Sequence, residues 1–182
     1  MNSSQRAFLK DGCTLQCINI ALNIFEDALE NKAKGKHLYV VSYDQEKAYD
    51  SMQAYTIRTS LERFNMPENF ISYILSSLDG ATSCFKTYYG LTDDFTIETS
   101  VRQGDPISPL VYICVVDALH EGWKSNPLYR RETGYCFSND TKTKVASTGY
   151  ADDAMVYAET WEDIWSDEPV DQRILSRTWF SN

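Results

Sequence analysis

Long apolar runs are missing. No stretch of the chain approaches the roughly 20 apolar residues that a membrane-spanning helix needs. Met1-Asn2-Ser3-Ser4-Gln5-Arg6 has no apolar core of the secretory kind. No membrane partner is expected, and the chain reads as intracellular, with nucleus and cytoplasm not distinguished. Cysteine is sparse: the five, at 13, 17, 84, 114 and 136, are odd in number and lack paired Cys-x-x-Cys spacing. That pattern argues against a disulfide scaffold or a zinc ribbon. Cys13 and Cys17 could share a helix face, but two ligands do not make a site, and small buried hydrophobes are the better reading. Internal repeats and low-complexity tracts are also missing. Positive charge is in deficit, with 17 Lys plus Arg against 26 Asp plus Glu and a net of −9. Affinity for a nucleic-acid duplex comes largely from neutralised phosphates, so this chain by itself should grip one poorly.

What is present is enough for one domain with a substantial core, since the chain has 182 residues. Thr14 can cap a helix whose Ile18, Leu22, Phe25 and Leu29 recur on one face. Leu38 to Val41 is a run of strand formers, consistent with a central strand covered on both faces and ending at Asp44. Asp50 or Ser51 can cap a second helix through Phe64, and Pro67 suits the first turn of a third through Leu78. Residues 82–89 and 95–101 alternate like a hairpin around Gly90. A helix from about Pro109 to Trp123 turns Leu110, Ile113, Val116, Ala118 and Leu119 inward. Residues 145–150 and 154–157 read as two strands joined at Asp152-Asp153.

Three segments carry chemistry: Tyr43-Asp44-Gln45-Glu46-Lys47-Ala48-Tyr49-Asp50, Arg102-Gln103-Gly104-Asp105-Pro106-Ile107-Ser108-Pro109, and Tyr150-Ala151-Asp152-Asp153. Each has a plain structural reading. The Asp pair suits a hairpin turn, Ser108 and Pro109 suit a helix start, and Tyr49 could be a half-buried core residue. Their order is more specific than any one of them: two acidic sites flank a Gln-Gly-x-x-x-Ser-Pro turn. In that order they resemble the palm of a reverse transcriptase, closest to the non-LTR retrotransposon and group II intron enzymes. The resemblance spans roughly residues 5 to 160, and Gln5-Arg6-Ala7-Phe8 with Gly12 and Thr14 loosely matches the segment leading from fingers to palm.

The resemblance implies an α+β fold, a polymerase palm with part of the fingers, in which helices cover an antiparallel sheet and the thumb is absent. It implies transfer of deoxynucleotides onto a primer 3′-hydroxyl with two Mg²⁺ ions, for which Mn²⁺ can substitute. Asp44 and Asp152 would be the bridging ligands and Asp153 the supporting one; the carbonyl of Tyr43 or Gln45 could add a ligand. Tyr49 would lie under the sugar of the incoming nucleotide and exclude a ribose 2′-hydroxyl. Gly104 would let the backbone approach a ligand, and the Gln103 amide would contact template base or sugar. Arg102 is the cation placed to touch phosphate, although an exposed arginine is commonly only solvated. Asp50 reads better as a helix cap than as a ligand.

Residues 1–160 are thus expected to be partial fingers plus palm, with 161–182 an acidic tail that departs from the family at Trp165-Ser166-Asp167-Glu168-Pro169. The implied partners are an RNA template, a DNA primer, deoxynucleotides, and fingers, thumb or other retroelement parts. Three alternatives stand beside this reading: an inert retroelement fragment, an RNA-dependent RNA polymerase, and an acidic interaction module. The RNA polymerases generally carry a Ser-Gly type of second motif, and Tyr49 favours deoxynucleotides. Binding to a basic partner that survived loss of Asp44 and Asp152 would favour the module.

Overall fold

Thr14–Glu30 forms the first helix, α1, but it buries a different face from the one its largest apolar side chains mark. Ala21, Ile24 and Ala28 are the buried positions, whereas Ile18, Leu22 and Leu29 are 46%, 51% and 72% exposed. Positions 21, 24 and 28 lie on one helix face, and two alanines there let the helix come close to a sheet. Cys13 occupies the N-cap with no side-chain hydrogen bond, so Thr14 is not a cap.

The computed structural model describes residues 4–45, 48–50, 52–97, 101–102, 104–126 and 131–164. After α1 and a 3₁₀ turn at Lys32–Lys34 come β1 (Tyr39–Tyr43), α2 (Ala54–Arg63) and α3 (Glu68–Leu78). Four two-residue strands follow: β2 (Thr82–Ser83), β3 (Lys86–Thr87), β4 (Gly90–Leu91) and β5 (Phe95–Thr96). The chain continues through α4 (Ser108–Gly122), β6 (Ser125–Asn126), β7 (Arg131–Glu132), β8 (Tyr135–Phe137) and β9 (Asp140–Val145). Then come β10 (Ser147–Tyr150), β11 (Asp153–Ala158) and the short α5 (Trp161–Ile164). The chain divides into two compact units, one of residues 1–46 with 116–182, the other of residues 47–115.

The first unit is built on an antiparallel sheet in the order β1-β11-β10. β11 is therefore the central strand and β1 an edge. Alternate residues of β1 are exposed, which corrects the expectation of a doubly covered central strand. β-Branched and aromatic residues form either kind of strand, so Leu38 to Val41 does not distinguish them. On the other side of the sheet, Gln5 forms a parallel bridge with Gly149 of β10. Arg6 N–H donates to the Gly149 carbonyl at 2.9 Å, and Gly149 N–H donates to the Ser4 carbonyl at 2.9 Å. The core joins Ala21, Ile24 and Ala28 to Tyr135 and Tyr157, with Ile20, Phe25, Leu38, Phe137 and Val145 around them. At its margin the Tyr135 hydroxyl donates to Asp27 Oδ2 at 2.6 Å, and Ser138 donates to the same carboxylate through both N–H and hydroxyl. Burial works to raise the Asp27 pKa, but these hydrogen bonds and the charge of Lys36 outweigh it and hold the carboxyl below its ordinary value.

The second unit packs α2 against α3 through buried Ile57, Leu61, Ile71 and Ile74. α2 starts at Ala54 with Gln53 at its N-cap, two or three residues later than expected, so Asp50 is no cap, and Ser51 lies outside the described residues. Pro67 is the N-cap of α3, one residue before the first turn expected for it, with φ −60° and ψ 141°. The hairpin around Gly90 exists as two short pairings, β2 with β5 and β3 with β4, and residues 98–100 lie outside the description. α4 passes from this unit into the first between Val115 and Val116. Val111 to Asp117, Leu119 and His120 are all buried while Leu110 is 50% exposed, so α4 is covered nearly all round rather than along one stripe.

Candidate active site

The acidic pair lies where a two-residue turn joins the two strands. Tyr150 of β10 pairs with Asp153 of β11, leaving Ala151 and Asp152 as the turn. Ala151 has φ 57°, the left-handed region that an L side chain enters at a cost of about 1 kcal/mol or more. On the opposite side of β11, Tyr43 pairs with Ala154. Asp44 comes one residue later, so it stands at the same end of the sheet as Asp153. Neighbouring antiparallel strands run about 5 Å apart, which brings two carboxylates more than a hundred residues apart in sequence to one end of the sheet. Asp44, Asp152 and Asp153 are all exposed there.

Aromatic and imidazole rings tie the strands together near that end. The Tyr43 ring stacks on Trp123, centroids 5.2 Å apart with planes 26° from parallel. Trp123 meets His120 edge to face at 5.2 Å. His120 is fully buried, and its Nδ1 shares a hydrogen bond of 2.9 Å with the Ser147 hydroxyl of β10. Burial drives its pKa down to about 4, the nearby charges of Asp117, Lys124 and Glu121 being secondary, so the imidazole is neutral near pH 7. A Cβ on Gly149 would fall 2.5 Å from His120 Nε2, so only glycine allows this contact. Gln5, fully buried, hydrogen-bonds the turn itself. Sequence reasoning missed Gln5, His120, Trp123 and Gly149 as a set; the one available signal was a glycine two residues before the acidic turn, where a backbone approached closely by another group needs one.

The remaining expected site residues belong to the other unit. The Tyr49 ring stacks on fully buried Tyr112, centroids 4.9 Å apart with planes at 18°, and its carbonyl accepts the Val101 N–H at 3.2 Å. Arg102 is exposed, and its guanidinium donates to the Ser77 carbonyl near the C-terminus of α3 at 3.3 Å. Gly104 is exposed with φ 92°, so this turn needs a glycine. Gln103 lies outside the described residues, as do Glu46, Lys47 and residues 165–182. Asp105 Oδ1 accepts the Ile107 N–H at 3.0 Å, and Ser108 is already within α4 rather than capping it.

Among the described residues, no group of three His, Cys, Asp or Glu side chains is gathered to hold a metal ion. The donor chemistry still fits a hard divalent cation. Mg²⁺ is commonly held by one or two carboxylates, its other positions going to water and substrate phosphate, so a closed protein cage is not required. Asp44 with Asp152 or Asp153 provides such an open set of oxygens. His120, buried and bonded to Ser147, is no part of it.

An antiparallel sheet carrying an acidic hairpin turn, with a further carboxylate at the end of the adjoining strand, is the arrangement that the resemblance to a polymerase palm leads one to expect. The family described as "Reverse transcriptase (RNA-dependent DNA polymerase)" matches residues 1–176, and the chain belongs to that family. It is 27% identical over 164 residues to a retrovirus-related Pol polyprotein from a type-1 retrotransposable element R2 of Nasonia vitripennis, covering 90% of this chain and 15% of that protein. It is 28% identical over 160 residues to the polyprotein of the type-2 element R2DM of Drosophila melanogaster, covering 86% and 14%. The chain thus spans about one seventh of the length of these relatives. Among solved structures it is similar to an apo telomerase from Candida tropicalis truncated from its C-terminal domain, with TM-score 0.61, 17% identity, and coverage of 97% of this chain and 34% of that one. The same organism's telomerase with a fragment of telomeric RNA gives TM-score 0.54 and 16% identity, covering 94% and 28%. At such identities the likeness shows the fold, a mixed helix and antiparallel-sheet polymerase fold. Reverse transcriptases as a family depend on divalent metal ions.

Proposed function

We propose that this chain is the catalytic palm of an RNA-directed DNA polymerase of a non-LTR retrotransposon, adding deoxynucleotides to a primer 3′-hydroxyl on an RNA template. The observation that carries the reading is the strand register: Tyr43 opposite Ala154 and Tyr150 opposite Asp153 bring Asp44 and the Asp152-Asp153 turn to one end of the sheet. Asp44 and Asp152 would hold Mg²⁺, with Asp153 in support. When bound, such ions supply charge neutralisation at the attacking hydroxyl and the departing pyrophosphate.

The chain's own residues orient and exclude. The Tyr43–Trp123 stack fixes the backbone just before Asp44. Tyr49, its ring set against Tyr112, is the proposed sugar gate, since an aromatic wall under the sugar meets a 2′-hydroxyl but not a hydrogen. Gly104 and Gln103 are the proposed contacts to template and nucleotide, and Arg102 the contact to phosphate. With a net charge of −9, affinity for primer and template is expected to come mainly from other parts of a longer protein.

Primer extension on an RNA template with deoxynucleotides and Mg²⁺ tests this reading. Extension by the chain that disappears in Asp152→Asn supports it, whereas equal extension by both overturns the role of the turn.

A further inference from the structure

The turn that bears Asp152 is held by a side chain at the other end of the sequence. Gln5 Nε2 donates to the Ala151 carbonyl at 3.1 Å, and Ala151 N–H donates to Gln5 Oε1 at 3.3 Å. The same oxygen accepts the Ala7 N–H at 2.9 Å and shares the Arg6 N–H, also at 2.9 Å, with the Gly149 carbonyl. Three N–H groups converging on one oxygen fix which way the amide points, since the flipped amide would set N–H against N–H. Gln5 is fully buried, and its backbone bridges Gly149, two residues before Ala151.

We infer that Gln5 is a positioning residue for the metal-binding turn: its amide pairs with both backbone groups of Ala151 and so holds that residue in its left-handed conformation. The inference rests on the proposed reading of Asp152 as a metal ligand. Ala151 at φ 57° stores strain that persists only where its surroundings over-determine it. The backbone dihedrals of Ala151 set where Asp152 starts, so a tie on Ala151 is a tie on the carboxylate's direction. Glutamine alone among side chains of this length presents a donor and an acceptor side by side. Glutamate would set an oxygen against the Ala151 carbonyl, and methionine would remove the partner of both half-buried Ala151 backbone groups. Outer partners of metal ligands typically change metal affinity by about 10- to 100-fold when removed.

The test compares the chain with Gln5→Met, Gln5→Glu, Asp152→Asn and Thr148→Val. Thr148 is buried in the same hairpin and hydrogen-bonds the Tyr157 hydroxyl at 2.9 Å, so its loss reports destabilisation without touching the turn. Amide hydrogen exchange at Ala151 reads the tie, and Mn²⁺ binding followed by electron paramagnetic resonance reads the site. Gln5→Met is expected to speed exchange at Ala151 by about tenfold or more and to weaken Mn²⁺ binding by about tenfold. Gln5→Glu should do the same, and Thr148→Val should leave Mn²⁺ affinity at the wild-type value. Unchanged exchange at Ala151 in Gln5→Met overturns the tie, and faster exchange with unchanged Mn²⁺ affinity overturns the positioning role. Equal Mn²⁺ affinity in wild type and Asp152→Asn instead overturns the reading of the turn as a metal site, so the two ideas fail separately.

Discussion

Tyr43 and Trp123 stack at 5.2 Å, which ties the last residue of β1 to the residue just beyond α4. Asp44 is the next residue in the chain, so the direction in which it leaves the sheet depends on that ring contact. Trp123 in turn meets His120, and His120 reaches β10 at Ser147 and Gly149. The two acidic sites therefore share one support.

Removing either acidic site should stop catalysis without unfolding the chain. Asp44→Asn and Asp152→Asn each replace an exposed carboxylate, so a thermal melt should move little. Primer extension should fall by about 10²-fold or more, the scale on which electrostatic stabilisation of the transition state is lost. A variant that melts normally and extends at the wild-type rate would remove that residue from the mechanism.

Tyr49→Ala should admit ribonucleotides and also cost stability, because it removes one ring of the stack with Tyr112. Such pairs are worth about 0.5–1.5 kcal/mol beyond the area they bury. Tyr49→Phe keeps the wall and should keep the discrimination. Ratios of ribo- to deoxynucleotide incorporation for the two variants check the gate, and identical ratios would refute it.

The buried His120 makes stability depend on pH in a defined window. Its folded pKa of about 4 lies below the ordinary 6.5, so below pH 6.5 the unfolded chain takes up a proton that the folded chain refuses. The neutral imidazole's contribution is thus complete above pH 6.5 and is lost as pH falls from 6.5 toward 4, about 3 kcal/mol in all. His120→Phe should flatten that part of the stability profile. Denaturant unfolding of both proteins at pH 7, 5.5 and 4 measures the difference, in which the carboxylates common to both largely cancel.

Gly149→Ala should be destabilising by about 1–3 kcal/mol, since its Cβ would lie 2.5 Å from His120 Nε2 and the site is filled. The penalty should shrink when His120 is also shortened to alanine. A double-mutant cycle on unfolding free energy gives the coupling, and strict additivity would show that the two residues do not press on each other.

Tyr135→Phe removes the hydroxyl that donates to Asp27 at 2.6 Å, and a hydrogen bond to a charged partner contributes about 1.5–3 kcal/mol. The depressed Asp27 pKa means this support is present above the ordinary carboxylate pKa and disappears as pH falls through the folded value. Thermal melts should therefore separate wild type from Tyr135→Phe at pH 7 and converge in acid.

The acidic turn, the strands on either side of it and a helix from about Pro109 are legible in the residues alone, because turn chemistry and local spacing mark each of them. Asp152-Asp153 between two strand-forming runs marks a turn, and the order of the three motifs points to a reverse transcriptase palm. The other features depend on contacts that form only in the folded chain. Alternation and helical spacing report where apolar residues recur but not which surface covers them. This is why α1 buries Ala21, Ile24 and Ala28 instead of its leucines, and why β1 is an edge strand while β11 lies at the centre. Gln5 meets Ala151 across 146 residues and His120 meets Ser147 across 27. Hydrogen-bond partners that distant are chosen when the sheet closes, because only the folded backbone brings a buried amide or imidazole within 3 Å or so of a group it can satisfy.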